Sequence, residues 1–378
     1  MIAWAVFLGS ALALLYVLAG YPLLLAFLAR YFPKPVRKNG QHRETVSVII
    51  AVRNGERWLA RKLDCILAQD YPRELCEVIV VSDGSADRTE EIAAAYADRG
   101  VRLLTVPHGG KPSALNAAVP HAKGDLLLLT DVRQVLQPEC LSRLVAVMAD
   151  PEVGAVSGDL RIAAGENEEQ QQTGLYWRYE NWIRANLASV DSMLGATGPL
   201  YLIRRALFVP IPFDSLLDDM YLPLSIHLRG YRLLFEENAI AVDEPTDLTQ
   251  EFRRKVRTQA GNVQLLCTFP GLFTRANRMR FHYASLKVGR LVLPYLLALV
   301  FLSSLVLSDP WRWRMAGPQM AFWALALLYP LFQPGSLLKK ITSTPRAFAV
   351  LVSSALFAVK VLFVAPRKLW IESRLTPP

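Results

Sequence analysis

Residues 2–29 carry no charged side chain. The run exceeds the roughly 20 residues that an α-helix needs to cross the hydrocarbon of a bilayer. No basic region precedes it, and it is too long for the apolar centre of a secretory leader. Residues 1–30 are therefore read as a retained membrane anchor. Further apolar stretches lie near the other end. Residues 291–308 and 315–338 are uncharged, and 347–366 is interrupted only by Lys360. The chain is 52% hydrophobic with a mean hydropathy of +0.24, which agrees with several buried-in-lipid segments. The intervening polar region, about residues 30–290, is ample for one α/β domain.

The net charge of +9 invites a nucleic-acid partner, but its distribution argues otherwise. Arg30, Lys34, Arg37 and Lys38 follow the first apolar run; Arg275, Arg278, Arg280, Lys287 and Arg290 precede the second. Basic residues beside apolar spans mark the cytoplasmic face and are drawn to anionic headgroups. The expected partner is thus a lipid bilayer, the inner or plasma membrane, with the polar domain cytoplasmic and no nucleic acid. Four full spans would leave the C-terminal tail, residues 367–378, outside, whereas Arg367, Lys368 and Arg374 favour the inside. Residues 347–366 are accordingly expected to be re-entrant or interfacial, giving two to three spans within 291–366. Cys65, Cys76, Cys140 and Cys267 have no metal-like spacing, and core packing is expected of each.

Within the polar region, short apolar runs alternate with helical patterns. Strands are predicted at residues 46–52, 78–81, 101–106 and 126–129, and helices at 58–69, 87–97 and 112–119. The Glu- and Gln-rich run 165–173 reads as a loop or helix start. Repeated β-α-β order implies a doubly wound, mostly parallel sheet. Such sheets bind ligands at the carboxyl ends of their strands, where Asp83 and Asp131 both fall.

The chemistry-bearing residues follow from that frame. Asp83, in Ser82-Asp-Gly-Ser85, sits in a turn that exposes a carboxylate toward a base or ribose; capping a turn is the alternative. Gly109-Gly110-Lys111 opens a helix, where free amides and a lysine suit a diphosphate. The spacing is not that of a P-loop. Asp131, after a buried strand, suits a hard divalent cation. Asp218-Asp219 is a carboxylate pair able to supply a general base, or simply a helix cap.

Taken together, residues 46–59, Gln69-Asp-Tyr-Pro72, residues 77–89 and 111–116, Thr130-Asp131, residues 195–205, Asp218-Asp219 and residues 251–262 resemble family-2 glycosyltransferases. The flanking apolar runs resemble those of the membrane-bound cellulose, hyaluronan and poly-N-acetylglucosamine synthases. The resemblance covers most of residues 44–290 and implies a GT-A-like fold, an α/β domain over 44–260, followed by an interfacial amphipathic segment, 261–290, that includes residues 269–273.

It also implies residue roles. Asp83 would contact the nucleoside of a UDP-sugar, and Lys111 would lie near the nucleotide. Asp131 would be the first acid of an Asp-x-Asp motif, placed by the diphosphate and a Mg or Mn ion. Asp219 would deprotonate the acceptor hydroxyl. Arg254 and Arg257 would lie near the diphosphate, in the position of a Gln-x-x-Arg-Trp motif. Gly195, Thr197 and Gly198 would border the acceptor. Beside them in the aromatic run 176–182, Trp177 reads either as a sugar-stacking ring or as core or membrane-edge packing. Two departures stand out. Arg133 replaces the second acid of Asp-x-Asp, leaving it to pair with a phosphate or to point away. Thr258 replaces the tryptophan, which weakens the case for processive synthesis. The expectation is an inverting transferase moving sugar from a nucleotide-sugar to a polysaccharide or lipid-linked acceptor. The alternative is a non-catalytic, nucleotide-binding subunit of a membrane polysaccharide assembly.

Overall fold

The β-branched run at residues 46–52 does form a strand, β1 (Val46–Val52), and all but one of its residues are buried. Burial on both faces is what a central parallel strand requires. β2 (Cys76–Asp83) and β4 (Leu126–Thr130) flank β1 in parallel, and β3 (Val101–Val106) lies outside β2. The computed structural model describes residues 1–163, 168–245, 248–364 and Pro366. It comprises two compact units.

The first unit, Leu28–Ala163 with Trp177–Glu244, holds the whole sheet. Its remaining strands are β5 (Val135–Leu136), β6 (Val153–Ile162), β7 (Tyr201–Arg204) and β8 (Arg232–Asp243). The order is β3-β2-β1-β4-β7-β6-β8-β5. The β3-to-β4 half is parallel, as the βαβ alternation predicts. Beyond it, β7 runs antiparallel to both β4 and β6, and β5 runs antiparallel to β8. The sheet is therefore mixed, with the longer pairings parallel, that of β6 with β8 included. β6 and β7 are joined through the helix Glu168–Val190, a connection long enough to permit either strand direction. Of the Glu- and Gln-rich run, residues 165–167 lie outside the described residues, and the remainder starts that helix.

The helices Leu59–Leu67, Thr89–Ala94 and Lys111–Ala118 follow β1, β2 and β3 in turn, and Asp218–Leu228 precedes β8. This connectivity brings the carboxyl ends of β1, β2 and β4 to one edge, in register as Val52 beside Ser82 and Ile50 beside Thr130.

The second unit is Met1–Phe27, Ala164–Tyr176 and Pro245–Pro378. Among the described residues, three helices are long and apolar enough to cross a membrane: Ile2–Tyr31, Arg280–Leu305 and Leu337–Leu362. The first packs on the second, with Tyr16 Oη and Ser285 Oγ at 2.6 Å and Tyr21 Oη and His282 Nδ1 at 3.2 Å. The uncharged stretch 315–338 is not one helix. Trp311–Leu328 ends in a 3₁₀ turn, Tyr329–Leu331, and Gly335 adopts φ 79° before Ser336 caps Leu337–Ala358. Pro330 and Pro334 supply the break, since each lacks the amide a continuing helix needs. The amphipathic helix Leu248–Thr268 packs against Leu337–Ala358, where the Phe252 and Phe357 rings meet edge to face. Cys267 on it is exposed, so core packing does not hold for that cysteine. Arg367, Lys368, Arg374 and the tail 367–378 lie outside the described residues.

Candidate active site

Asp83 ends β2 at 4% exposure, followed by Gly84 at φ 62°. Its carboxylate accepts the amides of Gly109 at 2.7 Å and Gly110 at 3.0 Å. It also meets His108 Nδ1 at 2.9 Å, while His108 Nε2 meets Arg53 Nη1 at 3.0 Å. Guanidinium N–H can only donate. His108 Nε2 therefore accepts from Arg53, and its Nδ1 donates to Asp83. This corrects two expectations. The glycine amides are not free for a diphosphate, because Asp83 already occupies them. Asp83 is not an exposed turn carboxylate; it pins the loop that delivers Lys111. The cause is the left-handed Gly84 turn, against which His108 packs so closely that a Cβ would stand 2.9 Å from the His108 nitrogen. Gly110, at φ 89°, then opens the helix Lys111–Ala118.

Lys111 is the centre of the site. Its ammonium lies 2.8 Å from Asp131 Oδ1 and 3.0 Å from Asp218 Oδ2. Burial opposes this charge, but Asp131, Asp218 and Asp219 outweigh it and hold its pKa above the ordinary lysine value. The ammonium is thus permanent at any physiological pH.

The acidic pair divides by exposure. Asp218 is 6% exposed and accepts from Tyr201 Oη at 3.4 Å as well as from Lys111. Burial, reinforced by Asp218, Asp219 and Asp131, pushes the Tyr201 phenol up, so it stays a donor. Asp219 is half-buried, and its Oδ2 accepts the Gly198 amide at 3.1 Å. A Cβ on residue 198 would come 3.0 Å from that oxygen, so glycine permits the approach. Asp131 keeps about a third of its side chain exposed. Lys111, Asp131, Asp219 and Gly198 are thus brought together.

Arg133 points away. Its Nη2 lies 2.5 Å from Asp243 Oδ2, at the end of β8, where Gln134 Nε2 also donates at 2.9 Å. Asp243's side chain is wholly buried. Among the described residues no three His, Cys, Asp or Glu side chains group to hold a metal ion. The donor set at this position is one carboxylate, Asp131. Mg²⁺ and its kin accept such a site when substrate phosphates complete the shell. The residues present therefore fit a cation held jointly by Asp131 and a bound diphosphate, not a cation caged by protein.

On the acceptor side, Thr197 is 2% exposed, and its Oγ1 accepts from Arg184 Nη1 at 2.6 Å. Gly195 packs against the sulfur of Met220. Trp177 is buried with the Arg184 guanidinium 5.5 Å from its ring, so it does not present the open face expected for sugar stacking. Arg254 and Arg257 lie on the helix Leu248–Thr268 of the other unit, with Arg254 3.6 Å from the buried Glu251.

Residues 47–209 match the family model described as Glycosyl transferase family 2. The chain carries a family 2 glycosyl transferase domain. An N-acetylglucosaminyltransferase of Mesorhizobium japonicum is 31% identical over 245 residues, 58% of this chain and 56% of that protein. A probable glycosyltransferase of Bacillus subtilis is 25% identical over 263 residues, 65% of this chain and 61% of its own. The poly-β-1,6-N-acetyl-D-glucosamine synthase of Staphylococcus aureus is 24% identical over 236 residues, 60% and 57% of the two chains. The chain thus spans about three fifths of the length of these curated relatives. Among solved structures, a mannosyltransferase from Pyrobaculum calidifontis, in complex with GDP-Man and Mn²⁺, superposes with a TM-score of 0.72. The match covers 94% of this chain and 98% of that one at 24% identity, and establishes a shared fold.

Sequence reasoning missed several residues of the glycosyltransferase domain. His108 and Arg53 lie on different loops and meet directly, and His108 carries the link on to Asp83. Asp243, the partner of Arg133, is far along the chain at a strand end with no motif to mark it. Arg184 carried a weak signal, as a basic residue among the aromatics of a helix that otherwise reads as core or membrane edge.

Proposed function

We propose that this chain is an inverting glycosyltransferase that moves a sugar from a UDP-sugar, first among them UDP-N-acetylglucosamine, to a polysaccharide or lipid-linked acceptor at a membrane. The observation that carries the reading is the Lys111 ammonium between Asp131 and Asp218, with Asp219 alongside. A buried cation is what a departing diphosphate needs, and a half-exposed carboxylate beside it is what an attacking hydroxyl needs. The choice of N-acetylglucosamine rests on the names of the relatives.

In this mechanism the nucleoside lies against the loop that Asp83 holds. Lys111 exchanges a carboxylate for a phosphate oxygen as the donor enters. Asp219 takes the proton of the acceptor hydroxyl, and the Gly198 amide keeps its carboxylate oriented. A Mg or Mn ion held by Asp131 and the donor phosphates would neutralise further charge on the leaving group. Gly195, Thr197 and Gly198 are assigned to the acceptor border. Trp177 acts there through Arg184 and Thr197. The domain is assigned to the cytoplasmic side, by the basic residues beside the first two long apolar helices. In that orientation the last two such helices carry the chain out of the membrane and back to the same side.

Membranes containing the protein are to be given UDP-N-acetylglucosamine, other UDP-sugars and GDP-mannose, with product sizing. Asp219→Asn is expected to abolish transfer and leave nucleotide affinity unchanged. Turnover by that variant would remove Asp219 from the role of base. Nucleotide binding with no turnover of any donor by the wild type would favour the non-catalytic subunit.

A further inference from the structure

The helix Leu59–Leu67 turns one face to the core, with Leu59, Leu63 and Ile66 buried. Lys62 stands on that same face at 1% exposure. An apolar residue there would complete the face at no desolvation cost, whereas a buried ammonium is tolerated only when hydrogen-bonded. Its Nζ donates to Thr130 Oγ1 at 2.7 Å and to the Gln134 carbonyl at 2.8 Å. The two acceptors bracket the turn that carries Asp131 and Arg133.

The direction of the hydrogen bonds is forced. An ammonium has donors only, so Thr130 Oγ1 accepts from Lys62, and its single proton is spent elsewhere. That proton goes to the Pro199 carbonyl at 2.6 Å. Thr130 directly precedes Asp131. Pro199 directly follows Gly198, whose amide holds Asp219 at 3.1 Å. One buried side chain therefore ties the strand end bearing Asp131 to the turn that orients Asp219. Asp243 secures the far side of the same Asp131 turn through Arg133 and Gln134.

We propose that Lys62 is a positioning residue that fixes Asp131 and Asp219 relative to each other through Thr130 and Pro199. The proposal rests on the roles assigned to those two carboxylates above. In-line displacement needs leaving group and base at a set separation, and a misplacement of about 1 Å costs roughly 10²-fold in rate.

The test uses the full-length protein with Lys62→Met, Thr130→Val and the double variant. Thr130→Val exchanges one hydroxyl for a methyl group, and carries the test if Lys62→Met does not fold. Expected are kcat losses of about 30-fold for Lys62→Met and about 10-fold for Thr130→Val, with donor KM within about threefold of wild type. The double variant is expected to be no worse than Lys62→Met, because both break one chain of contacts. Additive losses, or kcat values within about threefold of wild type, would overturn the proposal. A purely structural lysine would lower the melting temperature while sparing kcat. Hydrogen exchange gives a readout free of any activity. Peptides covering residues 196–200 are expected to exchange faster in Thr130→Val, and unchanged protection there refutes the linkage. If the wild type turns over no donor, the catalytic reading fails, and the exchange measurement still decides the linkage.

Discussion

Arg133→Ala separates two views of the residue that stands in place of a family acid. In the structure Arg133 is the partner of Asp243, whose side chain is fully buried while Arg133 is 15% exposed. Removing one member of a buried pair typically costs about 3–5 kcal/mol, because the other charge is left uncompensated. Asp243 would keep the Gln134 Nε2 and Glu244 amide bonds, both at 2.9 Å, so the lower end of that range applies. For a unit of this size each kcal/mol moves the midpoint by about 2–4 °C, so the melting temperature should fall by roughly 6–12 °C. The assay is thermal unfolding of detergent-solubilised protein followed by tryptophan fluorescence. Arg133→Met with Asp243→Leu should recover most of the loss, since apolar replacement of both partners removes the stranded charge. The donor KM should change little at temperatures where the variant is folded. A shift under about 2 °C together with a tenfold rise in donor KM would refute the reasoning and place Arg133 on the donor phosphate.

Three further outcomes follow from the site. Lys111→Met should weaken UDP binding, measured by calorimetry, by at least about tenfold, because a charge-assisted phosphate contact is lost; equal affinity would remove Lys111 from the diphosphate site. In Asp83→Asn the amide oxygen can keep the Gly109 and Gly110 bonds, but its N–H₂ then faces the Nδ1–H of His108, so donor affinity should fall by about tenfold as the loop loosens, and unchanged affinity would show that the loop needs no carboxylate. Burial lowers the Lys62 ammonium to about 8 against the opposing pull of Cys65, Asp131 and Cys140. Below that value both folded and unfolded lysine are protonated, and the burial cost is present in full. Between it and the ordinary lysine value of 10.5 the unfolded chain binds the extra proton, so stability rises with pH. The melting temperature of the wild type relative to Lys62→Met should therefore increase from about pH 7 to about pH 9.5, and a constant difference would contradict the burial of a charged lysine.

Much of this protein is legible in local pattern. An uncharged run longer than a bilayer, a β-branched strand and alternating helical faces each report short-range physics, so the long first helix, β1 to β4 and the helices between them could be read directly. The strand-end rule then put Asp83 and Asp131 at one edge, and the Asp218-Asp219 pair declared itself as acidic. What each carboxylate does there was not legible. Adjacent residues on a helix point about 100° apart, and only packing decided that Asp218 is buried on Lys111 while Asp219 stays reachable. Asp83 looked exposed because its turn is short, yet His108 and two glycine amides close over it from the next loop. Arg133 left two readings open until β8 brought Asp243 beneath it. No sequence motif marked Lys62, and only the tertiary fold sets it inward, where Thr130 and Gln134 receive it. Periodicity fixes which elements form, because it depends on neighbours along the chain. The partners of a buried charge are chosen by segments far apart in sequence, so the fold alone decides which charges face the substrate and which hold the frame.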